Sequence, residues 1–372
     1  MNAYGSPLGG QAPGGGPMPP RGYYPPPRRR FGLWLIIFLL FGLLVLSTLS
    51  NLGFYLESVA GAGNTTLQLP KMEEIVLENN RSKDKILVAD ISGIISNLAL
   101  DRSGLNMVRW IEEQLKQASK DDSIKAVILK VDSPGGEVLA SDQIYEKIKD
   151  FQNSTGKPVI ASMAGLAASG GYYVSSPCRW IVAHPLTITG SIGVIMHGYN
   201  YRSLMDKVGV APNVFKSGRF KDMLSGEKHP SEISKEEKAM VQAMVDSTFS
   251  RFKEVILEGR NWSLDQDGDE GRSLSPDWQD YADGRILSGQ QAFELGFVDE
   301  LGGFDAAFDR AKSLVGIENA NLIAYEKPFS FSSLFRFVGQ ADTENKVTLD
   351  IGLDVPRLEA GRLYLLSPTY IR

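Results

Sequence analysis

The 372-residue chain contains little of two residue types that carry much of protein chemistry, with one cysteine and three histidines. A single cysteine, Cys178, excludes an internal disulfide and any zinc site built from cysteines, and we interpret it as a small core residue. With only His184, His197 and His229, most metal and acid–base sites built from histidine are also excluded. Strong positive charge is missing too, since the net charge is -5, which argues against a nucleic-acid partner.

Charge is also absent from a long stretch near the N-terminus, residues 31–56. About 20 apolar residues at ~1.5 Å rise cross the ~30 Å hydrocarbon core, so this stretch predicts a transmembrane helix. Arg21 and Arg28 to Arg30 precede it, and acids exceed bases after it, which predicts a cytoplasmic N-terminus and an exported body. A cleavable signal peptide is the alternative, because Ser58 to Ala60 offer small residues, but the 30-residue leader favours an uncleaved anchor.

The composition divides the chain into unequal parts. Seven glycines and eight prolines among the first 27 residues cannot bury enough apolar surface to offset chain entropy. We therefore predict a disordered cytoplasmic tail, a transmembrane anchor, a stalk, a main folded domain and a C-terminal extension of no assigned role, at residues 1–30, 31–52, 53–84, 85–325 and 326–372.

Within the main domain, short apolar runs alternate with amphipathic stretches, which predicts an α/β fold with a mostly parallel sheet covered by helices. The first five elements are predicted as strand, helix, strand, helix and strand at Ile86–Ile95, Met107–Ala118, Ile124–Val131, Glu137–Phe151 and Pro158–Met163. Further strands are predicted at Trp180–Ala183 and Ile192–Met196, and helices after the capping residues Ser234 (as far as Gly259) and Ser288. The acidic stretch Asp265–Asp269 fails the calcium-loop template and predicts a solvated loop.

Two predicted strands end in segments that could carry chemistry, because ligands of parallel sheets bind beyond the carboxyl ends of the strands. One is Asp132–Gly136, and the other leads into Ser169 and Gly170. A serine at a strand-to-helix turn is lifted out of the sheet, and glycine amides nearby resemble an oxyanion hole. The alternative is that the glycines only form turns and that Ser169 only caps a helix.

A nucleophilic serine needs a base, and the residues alone leave this base open. His197 follows an apolar strand. Lysine is the other candidate, since burial disfavours its charged form and supplies a neutral amine. Lys216 and Lys221 lie close together in the chain.

Five ordered motifs resemble those of the bacterial signal peptide peptidase A family, in its short, single-repeat form. The resemblance covers about Lys85 to Val315, which is most of the exported body. The motifs are Asp132–Gly136, Ala168–Tyr173, Thr189–Val194, Lys216–Gly218 with Lys221 and Asp222, and Ala282–Arg285 through Leu295–Asp299. The resemblance implies a ClpP/crotonase-like fold of repeated ββα units and a serine endopeptidase that uses no metal or nucleotide cofactor.

By position, the resemblance implies that Ser169 is the nucleophile and Lys221 the general base, while Ser191 orients the lysine. It further implies that the amides of Gly136 and Gly170 form the oxyanion hole, and it places Lys216 off the catalytic position. In this family the serine and lysine of one site come from neighbouring repeats or protomers, so a single-repeat chain needs self-association, and the short form is octameric.

The same resemblance implies a single-pass protein of the cytoplasmic membrane whose catalytic domain faces outward and degrades signal peptides left in the bilayer. A crotonase-type acyl-CoA hydratase or isomerase would share the fold but would need a carboxylate in place of Ser169. A non-catalytic membrane scaffold is the other rival, and retention of Ser169, Ser191 and Lys221 argues against it. The tail, residues 265–280 and the C-terminal extension have no counterpart in the family pattern.

Overall fold

The computed structural model describes residues 31–61, 72–98, 105–326 and 364–366. The chain divides into two compact units, Met1–Gln68 and Leu69–Arg372. The predicted tail and most of the predicted C-terminal extension lie outside the described residues.

The described part of the first unit is one long helix, α1, at Phe31–Gly61. Its large apolar side chains between Trp34 and Leu52 are exposed, as for Phe38 at 74%. Among the described residues, no helix meets the combined length and hydropathy that a membrane span requires.

The second unit is built on strands that mostly run parallel. The strands are β1 Glu73–Glu78, β2 Lys85–Ser92, β3 Ile124–Ser133, β4 Gly135–Glu137, β5 Val159–Ala167, β6 Trp180–Ala183, β7 Ile188–Gly190, β8 Ile286–Ser288, β9 Glu300–Leu301, β10 Asn321–Glu326 and β11 Tyr364–Leu366. The helices of this unit are α2 Met107–Lys120, α3 Val138–Thr155, α4 Gly170–Ser175, α5 Arg202–Lys207, α6 Lys235–Asp267, α7 Gly289–Glu294 and α8 Phe304–Val315.

Seven strands form the main path of the sheet, in the order β1-β10-β2-β3-β5-β6-β9. Every neighbouring pair from β10 to β9 is parallel, and only the edge strand β1 is antiparallel. Strand β7 pairs in parallel with the end of β5 and in antiparallel with β8. The fold is therefore mixed α/β with a mostly parallel sheet, as the alternation of apolar runs predicted.

Both faces of this sheet are buried, because an apolar cluster covers each of them. Successive side chains of a strand point to opposite faces and so enter different clusters. In β2, the side chains of Leu87, Ala89 and Ile91 join the larger apolar cluster, whereas those of Ile86 and Val88 join the smaller one. Helices α2, α3, α4 and α6 contribute to the larger cluster, and α8 contributes to the smaller one. Cys178 is fully buried in the larger cluster, as predicted.

Two predicted elements differ from the structure. The strand predicted at Ile192–Met196 is absent, and within it only Ile195 forms an isolated bridge. The strand lies earlier, as β7, because the backbone leaves the extended region at Ser191, where φ is 50°.

The prediction that the long helix ends at Gly259 was also wrong, since α6 continues to Asp267. Gly259 serves packing rather than termination, because a Cβ there would collide with the carbonyl of Ser176. The residue that caps the end of the helix is Gly268, which has a φ of 55°. Asp267, predicted in a solvated loop, therefore lies on the helix and forms an ion pair with Arg179 at 2.6 Å.

Candidate active site

The loop after β3 is held in place by the hydroxyl of Ser133. This hydroxyl donates a hydrogen bond to the carbonyl of Gly93 at 2.6 Å and accepts one from the amide of Gly135 at 3.1 Å. Gly135 has a φ of +102°, a conformation that glycine adopts without the steric cost of a side chain. Ser133 is fully buried, and its two bonds fix the turn that leads into β4.

Ser169 follows β5 and precedes α4, and its backbone is strained. Its φ of 55° and ψ of -114° are rare for a residue with a side chain, a conformation that costs of order 1–3 kcal/mol. The amide of Ser169 donates to the carbonyl of Gly190 at 2.8 Å, which helps to hold this conformation. Strain of this kind is typical of functional sites, where the surrounding structure holds a side chain in one direction.

Among the residues that the structure describes, the hydroxyl of Ser169 has no hydrogen-bond partner, although Ser169 is only 1% exposed. Ser169 occupies the N-cap position of α4, but its side chain makes no capping hydrogen bond, so helix capping does not account for this serine. A buried hydroxyl without a partner is unfavourable and rare in folded proteins. Such a group is available to a substrate or to a base supplied from elsewhere.

The structure brings together the two glycines predicted to line the oxyanion hole. A Cβ on Gly170 would lie 3.0 Å from the amide nitrogen of Gly136, and a Cβ on Gly135 would lie 2.6 Å from the amide nitrogen of Gly170. The backbones of the two loops are therefore in direct contact beside Ser169. Only glycine permits so close an approach.

Ser191 also lies beside Ser169, because the carbonyl bound by the Ser169 amide belongs to the preceding residue, Gly190. Ser191 is buried, and its amide donates to the carbonyl of Arg285 at 2.7 Å. The structure thus brings Ser169, Ser191, Gly136 and Gly170 into one region of the chain.

Lys221 is not joined to this region by any contact within the described chain. It is exposed, and no ion pair between described residues includes it. Lys216, the other candidate, is bound to Asp222 at 2.8 Å. The ring of His197 packs edge-on against Tyr199, and the unpartnered hydroxyl of Ser169 shows that no histidine of the described chain bonds to it.

A buried ion pair lies close to α4, and it was not predicted from the sequence. The guanidinium of Arg260 binds the carboxylate of Asp299, and both side chains are almost completely buried. The same carboxylate accepts from the amide of Ile181 at 2.8 Å, and the hydroxyl of Tyr172 on α4 donates to the carbonyl of Phe297 at 2.9 Å. Burial raises the pKa of Tyr172. Asp299 belongs to a motif that the sequence singled out, but its partner lies 39 residues away.

A cleft of about 670 Å³ opens beside β4 and α4, lined by residues that include Glu137, Asp142, Tyr173 and Arg251. The hydroxyl of Tyr173 donates to Asp142 at 2.5 Å. Burial and this carboxylate raise the pKa of Tyr173, so its hydroxyl stays protonated.

A mostly parallel sheet that presents a strained serine beside paired glycine amides has the arrangement of a serine hydrolase. Comparison with known proteins narrows this class. The model of peptidase family S49 matches residues 151–318, and the Clp protease model matches residues 101–186.

Curated relatives agree with this match. A Synechocystis protein named as a protease is 36% identical over 237 residues, which are 64% of this chain and 76% of that protein. The Enterococcus faecium relative named signal peptide peptidase SppA is 34% identical over 306 residues, 79% of this chain and 84% of its own length. Protease 4 of Haemophilus influenzae is 34% identical over 239 residues, 64% of this chain and 36% of that protein. The chain belongs to peptidase family S49 and is a serine-type peptidase of the signal peptide peptidase A group.

Proposed function

We propose that this chain is an endopeptidase in which Ser169 is the nucleophile and Lys221 of a neighbouring copy is the general base. The observation that carries the proposal is the buried hydroxyl of Ser169, which is held at a strained backbone position and has no hydrogen-bond partner within the described part of the chain. A catalytic serine requires a base within hydrogen-bond distance. Since the described chain places none there, the base comes from a second copy.

The chemistry follows from the positions of the groups. A neutral lysine amine takes the proton of the Ser169 hydroxyl as its oxygen adds to the carbonyl carbon of a peptide bond. The amides of Gly136 and Gly170 stabilise the negative charge that forms on the carbonyl oxygen, and each donor of this kind contributes roughly 10²–10³ in rate. The lysine returns the proton to the leaving amine, and water then hydrolyses the acyl ester.

Self-association is supported by apolar side chains that are exposed in the segment before Lys221. Tyr199, Leu204, Val208 and Phe215 are each more than 60% exposed, and Phe215 reaches 90%. Exposed apolar side chains in such number favour an interface with another protein surface. If this segment packs against a second copy, these side chains become buried. The same contact brings Lys221 of this chain to the second copy. We propose a closed ring, with an octamer as the expected form.

The proposed location is the cytoplasmic membrane, with residues 1–30 in the cytoplasm and the catalytic domain outside. It is supported by the uncharged residues 31–56, the preceding arginines and the exposed apolar side chains on α1. The proposed substrates are signal peptides left in the bilayer after preprotein cleavage. Their apolar composition and the relative named signal peptide peptidase SppA support this choice.

The test is hydrolysis of a fluorogenic apolar peptide by the purified chain and four variants. Ser169→Ala and Lys221→Ala should each lose at least about 10³-fold in kcat. The reason is that the loss of one member of a catalytic unit costs about as much as the loss of the whole unit. Lys216→Ala and Ser154→Ala are the matched controls and should retain activity. Full activity of Lys221→Ala would contradict the dyad, and activity of Ser169→Ala would contradict the nucleophile.

A further inference from the structure

The turn before β8 lies against the segment that carries Ser191. The amide of Ser191 donates to the carbonyl of Arg285 at 2.7 Å, and the antiparallel pairing of β7 with β8 extends as far as Gly190. A Cβ on Gly193 would lie 3.2 Å from the Cα of Gly284. The turn therefore contacts the backbone on both sides of Ser191.

One further hydrogen bond connects this turn to the predicted nucleophile. The amide of Ser169 donates to the carbonyl of Gly190 at 2.8 Å. Ser169 and Ser191 both have a positive φ, at 55° and 50°, which is uncommon for a residue with a side chain. Conformations of this kind persist only where the surrounding structure holds them. The hydrogen bond from Ser191 to the carbonyl of Arg285 is part of what holds them here.

The carboxylate of Asp283 fixes the direction of the Arg285 peptide. One of its oxygens accepts from the amide of Arg285 at 3.1 Å and from the Nε at 2.8 Å, and the other accepts from the guanidinium at 2.7 Å. A two-point contact between a guanidinium and a carboxylate is stronger and more directional than a single hydrogen bond. These bonds hold the pKa of Asp283 at about 2, so the carboxylate is charged at neutral pH.

The ion pair between Asp283 and Arg285 contributes little to folding, because both side chains are about half exposed. Exposed ion pairs are worth about 0–1 kcal/mol. By contrast, a displacement of about 1 Å at a catalytic group can lower the rate about 10²-fold. The pair therefore lies where its effect on the geometry of the site exceeds its effect on stability.

We propose that Asp283 is a positioning residue of the peptidase site. It fixes the carbonyl of Arg285, which binds the amide of Ser191. The carbonyl of the preceding residue, Gly190, in turn binds the amide of Ser169. The inference rests on the proposed function, because it takes the two serines to act in peptide hydrolysis. Asp283 itself contacts no substrate and transfers no proton.

The first measurement compares hydrolysis of the fluorogenic peptide and thermal unfolding in the parent chain, Asp283→Ala and Asp283→Asn. The alanine removes all three bonds, so kcat should fall at least about tenfold while KM stays within about twofold. The melting temperature should fall by less than about 4 °C, since the pair is exposed. The asparagine keeps an oxygen that accepts from the amide of Arg285, so its kcat should stay within about threefold of the parent.

Asp309→Ala is the matched control for this comparison. It removes another exposed ion pair, with Lys312 at 2.8 Å on α8, and should leave kcat unchanged. An unchanged kcat in Asp283→Ala would overturn the proposal. A chain with this substitution that fails to fold, or that loses kcat only in step with a large loss of stability, would show that Asp283 serves the scaffold and would also overturn it.

The second measurement does not need hydrolysis. Hydrogen exchange is followed by mass spectrometry in peptides that cover the amides of Ser169 and Ser191. Exchange should be at least about fivefold faster in Asp283→Ala than in the parent, because the bonds that hold these amides are loosened, and it should be unchanged in Asp309→Ala. Exchange at the parent rate in Asp283→Ala would overturn the proposal. A parent chain without peptidase activity would instead contradict the proposed function, so the two failures are distinguishable.

Discussion

The hydroxyl of Ser133 accepts a hydrogen bond from the amide of Gly135 at 3.1 Å and so couples the end of a central strand to the loop beside Ser169. The same hydroxyl donates to the carbonyl of Gly93. In the proposed mechanism Ser133 does not contact the substrate, and it acts only by fixing the direction of the glycine amides.

Replacement of Ser133 by alanine should therefore affect catalysis more than binding. The variant removes the partner of the buried amide of Gly135 and of the carbonyl of Gly93, and a buried amide without a partner costs about 1–3 kcal/mol. We expect a lower melting temperature and a lower kcat, with KM nearly unchanged, in the peptidase assay. Ser154→Ala, at an exposed serine of α3, is the control. An unchanged kcat would show that Ser133 serves stability alone.

Replacement of Gly170 by alanine tests the close approach of the two loops. The new Cβ would lie 2.7 Å from the hydroxyl oxygen of Ser141 and 3.0 Å from the amide nitrogen of Gly136, so the loops must separate. We expect kcat to fall by at least about 10²-fold, the size of one lost oxyanion donor. Gly198→Ala, where nothing lies within 4 Å, should be close to the parent. Equal activity of the two variants would contradict the predicted geometry.

Removal of one member of the Arg260–Asp299 pair should destabilise the second unit strongly. Asp299→Ala leaves a buried guanidinium without its partner, which costs about 3–5 kcal/mol. The free energy of unfolding in urea measures this loss. Lys116→Ala, which breaks an exposed pair with Glu113 on α2, should change it by less than about 1 kcal/mol. Similar losses from both variants would show that the buried pair has no special role.

The burial of Tyr172 makes the free energy of unfolding depend on pH in the alkaline range. Burial raises the pKa of Tyr172, so the folded state holds its proton where the unfolded state, with a pKa of about 10, has released it. Its contribution is complete below about pH 10 and is lost as pH rises above that value.

Urea unfolding at pH 9 and pH 11 measures this dependence. Tyr172→Phe should lower stability at both pH values, since it loses the bond to Phe297, but should show a smaller decrease between them. Tyr199→Phe, at an exposed tyrosine, is the control and should keep the parent slope. If the stability of Tyr172→Phe decreased between pH 9 and pH 11 as much as that of the parent, the dependence would not come from Tyr172.

Most helices and the central strands could be predicted from the sequence, because their apolar residues repeat with a clear period. Strands β2, β3, β5 and β6, and helices α2 and α3, lie close to their predicted bounds. Strand β1 was missed because it is an edge strand whose side chains are mostly exposed, so it lacks apolar alternation. Strand β11 was missed because it spans only three residues, which is too few to show a period.

The candidate site could be predicted only in part. Ser169, Ser191, Gly136 and Gly170 were located by their motifs, and the structure brings them together. The strain at Ser169 and its unpartnered hydroxyl depend on packing between distant segments, which no local pattern records. The pairing of Arg260 with Asp299 is equally non-local. The role of Lys221 stays a prediction, because it depends on a second copy.

The most direct test of a site shared between copies is to mix two inactive variants. Ser169→Ala keeps Lys221, and Lys221→Ala keeps Ser169, so a mixed assembly contains interfaces that hold both groups. After the equimolar variants are dissociated and reassembled, about a quarter of the sites should be complete in a ring of head-to-tail interfaces. We predict that peptidase activity returns to about that fraction of the parent value. No recovery, in a mixture shown by mass spectrometry to contain both variants in one assembly, would contradict a base supplied by a neighbouring copy.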